Sequence, residues 1–251
     1  MATINVSANV DEASKHIKSV SRQIPFAASL AINNTAKKVK AKEEHEIRDV
    51  FDRPTPYIQN SVFIKPSNKR NLTATVGIKD IAIKGTPATK ILRAEIEGGE
   101  RRLKKYEVLL RRTGNLPEGY FTVPGAAAKI DQYGNITKSQ ITQIISYFKS
   151  FPEAGYKANS TEQSRARLAK GSKKKYGIEY FIGKVGQKQT IGIWQRVISG
   201  LGTRVRPVLI YVQSARYEPV LDFEFVAVNT VKREFNNEFK VAIDRVIREA
   251  R

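Results

Sequence analysis

Apolar positions along this chain follow two different spacings. Ile17, Val20, Ile24, Ala28, Ala31, Thr35 and Val39 recur every three or four residues, which places one apolar stripe on a long helix. Pro25 stands inside that run. It removes a backbone donor, so a kink or a junction of two helices is expected near Gln23. Val228, Val231, Phe235, Phe239, Ala242, Val246 and Ala250 repeat the helical spacing at the other end, and Phe235 and Phe239 are expected in the core. Between these helices the pattern shortens. Thr3–Ala8, Ser61–Lys65, Leu72–Ile78, Tyr180–Lys184, Thr190–Val197 and Val205–Gln213 read as strands. The two prolines of Asp52–Tyr57 (DRPTPY) stop the first helix. Asn115–Gly125 (NLPEGYFTVPG) reads as a loop and Asp131–Asn135 (DQYGN) as a turn. Thr137 or Ser139 then caps a helix through Ile141, Ile144, Ile145 and Phe148.

This order predicts an α+β fold, with an antiparallel sheet packed against the long N- and C-terminal helices. Residues 1–84 and 176–251 together form the expected core domain, with 85–152 as a helical insertion and 153–175 as a long basic loop. The last segment has few large apolar residues, too few to fold alone, so it is expected to be mobile and cut first by trypsin between Arg165 and Lys175.

The stretch EIEGGERRLKKYEVLLRR, from Glu95 to Arg112, has helical spacing at Leu92, Ile96, Leu103, Tyr106 and Leu110 yet carries Gly98 and Gly99 in its middle. Each glycine in a helix costs about 1 kcal/mol relative to alanine. Either the pair lets another backbone approach or the chain bend there, or it is a plain break between two short helices. Arg101, Arg102, Lys104, Lys105, Arg111 and Arg112 follow against a single acid, Glu107. With Lys173, Lys174 and Lys175 they are the candidate interface or DNA-facing residues. Arg101, Arg102, Lys104 and Lys105 are expected to act there without supporting the fold, because exposed charges stabilise little.

Charge strengthens that expectation. The 251 residues hold 44 Lys and Arg against 24 Asp and Glu, a net +20, which favours a polyanionic partner. There is no cysteine, which excludes disulfides, thiolate catalysis and Cys-ligated zinc. MATINVSANVDEASK lacks the basic and apolar regions of a signal peptide, and no apolar run reaches the ~18 residues of a membrane span.

Enzyme signatures are sparse. GTPATK and EGGERR lack the spacing of a phosphate-binding loop. His16 and His45, the two histidines, lie 29 residues apart on one helical pattern and do not converge on a straight helix. Glu238-Phe239-Lys240 with Asp222 upstream matches the letters of a Mg²⁺-dependent nuclease, but Phe239 belongs to the helical stripe. No catalytic, cofactor-binding or metal-binding residue is expected.

Several segments in order resemble one family. FDRPTPYIQNSVFIKPSNKRNLTATVGIKD, ILRAEIEGGERRLKKYEVLL and LPEGYFTVPGAAAKIDQYGNITKSQITQIIS, followed by YFIGK, TIGIWQRV and PVLIYVQSARYEPVLDF, resemble minor tail protein Z-like chains of tailed bacteriophages and prophages. The likeness runs from about Ile24 to Arg251. Ser139 departs from it, standing where the family has a small glycine. The resemblance implies a structural tail-completion or neck protein at the head-proximal end of the tail. It further implies a homo-oligomeric ring of six-fold symmetry, tail-tube, terminator and head-connector neighbours, and a place in the virion after assembly in the host cytoplasm. It supplies no catalytic residue and no cofactor. Contact with genomic DNA would be non-specific and through phosphates. The alternatives are a prophage-encoded DNA-binding protein and the Mg²⁺-dependent nuclease.

Overall fold

The computed structural model describes residues 10–83, 85–152, 158–173, 175–183, 191–200 and 202–249. In chain order the first elements are α1 (Val10–Val50), α2 (Pro56–Gln59), β1 (Val62–Lys65), β2 (Thr75–Ile78), α3 (Ala88–Glu97), β3 (Gly99–Glu100) and α4 (Lys105–Arg112). Then come β4 (Phe121–Pro124), α5 (Lys138–Tyr147), α6 (Glu162–Lys170), β5 (Gly177–Gly183), β6 (Gly192–Ser199), β7 (Gly202–Val212), β8 (Arg216–Tyr217) and α7 (Phe223–Glu249). The fold is α+β with antiparallel sheets, and the two long helices pack together. The strand expected at Thr3–Ala8 lies outside the described residues.

The chain forms two compact units, Met1–Ile96 with Pro219–Arg251, and Glu97–Glu218. This division differs from the expected one. The strands β5–β7 share a unit with residues 97–152 and not with the long helices. Among the described residues the strands form three separate sheets: β1-β2, β3-β8 and β4-β7-β6-β5. The crossings explain the regrouping. The chain leaves the first unit beside Gly98-Gly99 and returns at Glu218-Pro219, so everything between them builds its own core.

In the first unit, α1 continues as one helix through Pro25 and does not divide near Gln23. Ala27, Ala31, Thr35, Val39, Glu43 and Ile47 are buried on it. That spacing of four residues is the ridge by which helices interlock. On α7 the matching row is Thr230, Glu234, Glu238, Ala242 and Val246. Ala27, Ala31, Ala242 and Val246 share one apolar cluster, Asn34 donates to Glu238 Oε2 at 3.1 Å, and Lys38 pairs with Glu234 and Glu238 at 2.8 and 2.6 Å. Partner numbers fall on α7 as they rise on α1, so the helices run antiparallel. Thr35 and Thr230 satisfy their buried hydroxyls on the carbonyls of Ala31 and Val226, four residues back.

This row corrects the expected stripe on α7. Val228 and Val231 are exposed, and Phe235 and Phe239 are only half-buried, their rings stacked 5.9 Å apart. Asn34 and Lys38 offer polar partners on α1, so α7 turns its Thr230–Glu234–Glu238 row inward. Of the expected stripe, Ala242 and Val246 are core, and Phe235 and Phe239 pack against the same cluster from about a quarter turn away. Phe239→Ala should therefore destabilise by about 1.5–3 kcal/mol, less than the ~3–5 kcal/mol of a fully buried phenylalanine. Urea unfolding checks this, and a full-core loss would contradict the half-buried placement.

A second cluster in this unit joins Ile47, Ile58, Val62, Ala88, Leu92 and Leu221. The antiparallel hairpin β1-β2 lies against α1. Near the end of α3 the Glu95 carbonyl accepts from Val220 N and Leu221 N at 2.8 and 3.1 Å, which satisfies a helix-end acceptor.

In the second unit, Leu110, Leu116, Ile144, Tyr180, Ile193, Val208, Leu209 and Tyr211 form the core between the sheet and α4 and α5. Tyr180 Oη donates to Gln143 at 3.0 Å and Tyr211 Oη to the Asn115 carbonyl at 2.7 Å. β4 pairs antiparallel with β7 inside the segment expected to be a loop. The basic segment also differs from expectation, since Glu162–Lys170 forms α6 within it. Thr161 caps α6 by accepting from Ser164 N at 3.1 Å, and α6 packs on β5.

Candidate functional site

Gly98 and Gly99 have φ of +74° and +94°, the left-handed region where glycine is favoured. A Cβ on Gly99 would meet nothing within 4 Å, so that glycine is needed for its backbone angle and not for close approach. The pair is a plain break. Leu92 and Ile96 before it belong to the core of the first unit, and Tyr106 and Leu110 after it to that of the second. The expected single helical face therefore divides between two cores.

Beyond the break, the acid Glu107 organises the basic cluster. Its side chain is 0% exposed. Arg101 Nη1 and Nη2 donate to its two oxygens at 2.7 Å each. Lys104 N donates at 2.6 Å, and Thr122 N and Oγ1 at 2.7 Å each. Glu107 thus reaches back from the third residue of α4 to the helix start, as a capping acid does. Burial pushes this carboxyl up, but Arg101, the Lys104 N–H and Thr122 outweigh it and hold it below the usual range. Arg101 is 13% exposed, donates also to the Thr122 carbonyl at 3.0 Å and lies over the Phe121 ring at 5.1 Å.

Arg101 is therefore part of the fold, which corrects its expected role as a free interface charge. Arg111 is likewise partly buried, donating to the Tyr120 carbonyl at 2.7 Å. Arg102, Lys104, Lys105, Arg112, Lys173 and Lys175 are exposed, and Lys174 lies outside the described residues. Lys175 helps line a pocket of about 610 Å³ with Lys129 and Arg167, two cations that the sequence did not single out.

Two other carboxylates stand out. Glu43 on α1 is 0% exposed, and neither oxygen has a hydrogen-bond partner. Burial first, then Glu46 and Asp222, push it up to about 8. Glu238, the nuclease candidate, is held by Lys38 and Asn34. Among the described residues no three His, Cys, Asp or Glu side chains gather as a metal site, and no helix is long and apolar enough to cross a membrane. His45 bonds Asp49 through Nδ1 at 2.6 Å along α1.

In comparisons with protein-family models, curated proteins and solved structures, the chain matches none.

Proposed function

We propose that this chain is a structural, non-enzymatic protein of a tailed-bacteriophage virion. It completes the tail at its head-proximal end, between tail-tube or terminator and head-connector proteins, as a homo-oligomeric ring of six copies. The order of the tail-protein-like segments supplies the context. One observation carries the reading: the long helix pair leaves apolar surface uncovered. On α7, Phe225 (65% exposed), Val228 and Val231 form an exposed run at spacings of three, on one helical face. On α1, Ile17 (67% exposed) and Ile24 are also exposed. Ala27 already packs near Val246, and α7 ends at Glu249. Ile17 and Ile24 lie N-terminal to the part of α1 whose alanines pack on α7. Apolar helix surface of this kind is buried by assembly, and a second copy of the chain is the occupant proposed here.

Phe225→Asp with Val228→Asp tests this reading. Both side chains are exposed, so helical circular dichroism should be unchanged while the oligomer falls to single copies in light scattering. An oligomer that survives the double replacement would overturn the assignment of this face.

A further inference from the structure

We propose that the second unit binds single-stranded nucleic acid, with one nucleotide seated in the pocket beside β5 and β6. The pocket, about 610 Å³, is lined by Lys129, Arg167, Lys175, Gln143, Gln195 and Tyr176 over a floor of Leu168, Ile178 and Val197. Its size suits a small organic group. Among the described residues three cations and no carboxylate line it, and none of the three has an acidic partner there.

The strand register extends the charge. Val197 stands opposite both Ile178 and Arg204, and Gln195 opposite both Tyr180 and Arg206. Directly opposed residues share a sheet face, so Arg204 and Arg206 lie on the same face as the pocket, about 7 Å apart along β7. Both are exposed. Arg196, on the opposite face, is paired with Glu179 at 2.9 Å. Among the described residues, cations without an acidic partner thus collect on the pocket face and continue past it onto β7, which favours a strand over a free mononucleotide.

The pocket also offers groups for a base. Tyr176 lines it while 68% exposed, and an exposed aromatic ring beside cations is the stacking platform of single-strand binders. Gln195 is 8% exposed, yet its Oε1 has no hydrogen-bond partner. A buried acceptor left open is costly, and turning the Gln195 amide into the pocket it lines would offer that oxygen to a base N–H. This inference does not depend on the assembly role.

Fluorescence anisotropy of a short labelled oligothymidylate tests it. The wild-type chain should bind in low salt, and binding should weaken steeply as salt rises. Tyr176→Ala should lose about tenfold in affinity with the salt slope unchanged, and Tyr176→Phe should retain binding. Arg204→Gln with Arg206→Gln should weaken binding and lower the salt slope by about 1.4, or ~0.7 per lost phosphate contact. Trp194 fluorescence and circular dichroism verify that each variant is folded. Three outcomes would overturn the proposal. Duplex DNA binding as tightly, with Tyr176→Ala without effect, would indicate plain backbone attraction. Polyglutamate displacing the strand equally well would indicate an acidic protein partner. Thymidine monophosphate binding as tightly as the strand would indicate a free-nucleotide site.

Discussion

Arg101→Ala is expected to destabilise the Glu97–Glu218 unit by about 3–5 kcal/mol, the cost of leaving a buried charge without its partner. Glu107 is fully buried and receives both guanidinium donors of Arg101. Without them the carboxylate keeps only the Lys104 and Thr122 donors. The chain has one tryptophan, Trp194 on β6 in the same unit, so urea unfolding followed by its fluorescence reads this effect directly. Arg101→Met combined with Glu107→Leu should recover only part of the loss, because it removes the buried charge but leaves the Lys104 and Thr122 donors without their acceptor. A midpoint unchanged in Arg101→Ala would contradict the clamp. The acid limb carries the same sign. The Glu107 carboxyl is held low when folded, so its contribution is complete above the unfolded value of about 4.3. It is lost as pH falls through the folded value.

Glu43→Gln should show the opposite pH dependence. The folded Glu43 carboxyl is pushed up to about 8, first by burial and then by Glu46 and Asp222. From about pH 4.3 up to about 8 the folded chain therefore holds a proton that the unfolded chain releases, and stability falls as pH rises. The wild type carries none of this cost below about pH 4.3 and only a small part of it near pH 5. Near pH 9 the variant should exceed it by roughly 3–5 kcal/mol, with little difference at pH 5. Circular dichroism at the helical minimum reports on this unit, whose α1 and α7 contain 41 and 27 residues. Parallel stability profiles for the two proteins across that range would show that Glu43 reaches water or a partner.

These carboxylates mark the limit of what the residue pattern reveals. The long helices, both hairpin strands of the first unit and the three strands β5–β7 follow from spacing, because periods of four and two are local properties. Which face of α7 turns inward is not local. It is decided by Asn34 and Lys38, some two hundred positions away in the chain. β4 was hidden because Pro117, Gly119 and Gly125 bracket it and Pro124 ends it, and its partner β7 lies far along the sequence. α6 was hidden by its charge, although Thr161 followed by the first-turn acid Glu162 is a readable helix start. The basic cluster is legible as a concentration of charge, but a count of cations does not show that Glu107 draws Arg101 inward. The alternation of TRVRP held a usable signal, since Arg204 and Arg206 fall on one face of any strand.

The mass of the purified chain in solution tests the assembly reading most directly. Sedimentation equilibrium across a range of concentrations should give one discrete species of about six times 28.2 kDa, and that species should attach to the ends of isolated tail tubes. A species of 28.2 kDa at every concentration, with no attachment to tube ends, would contradict it.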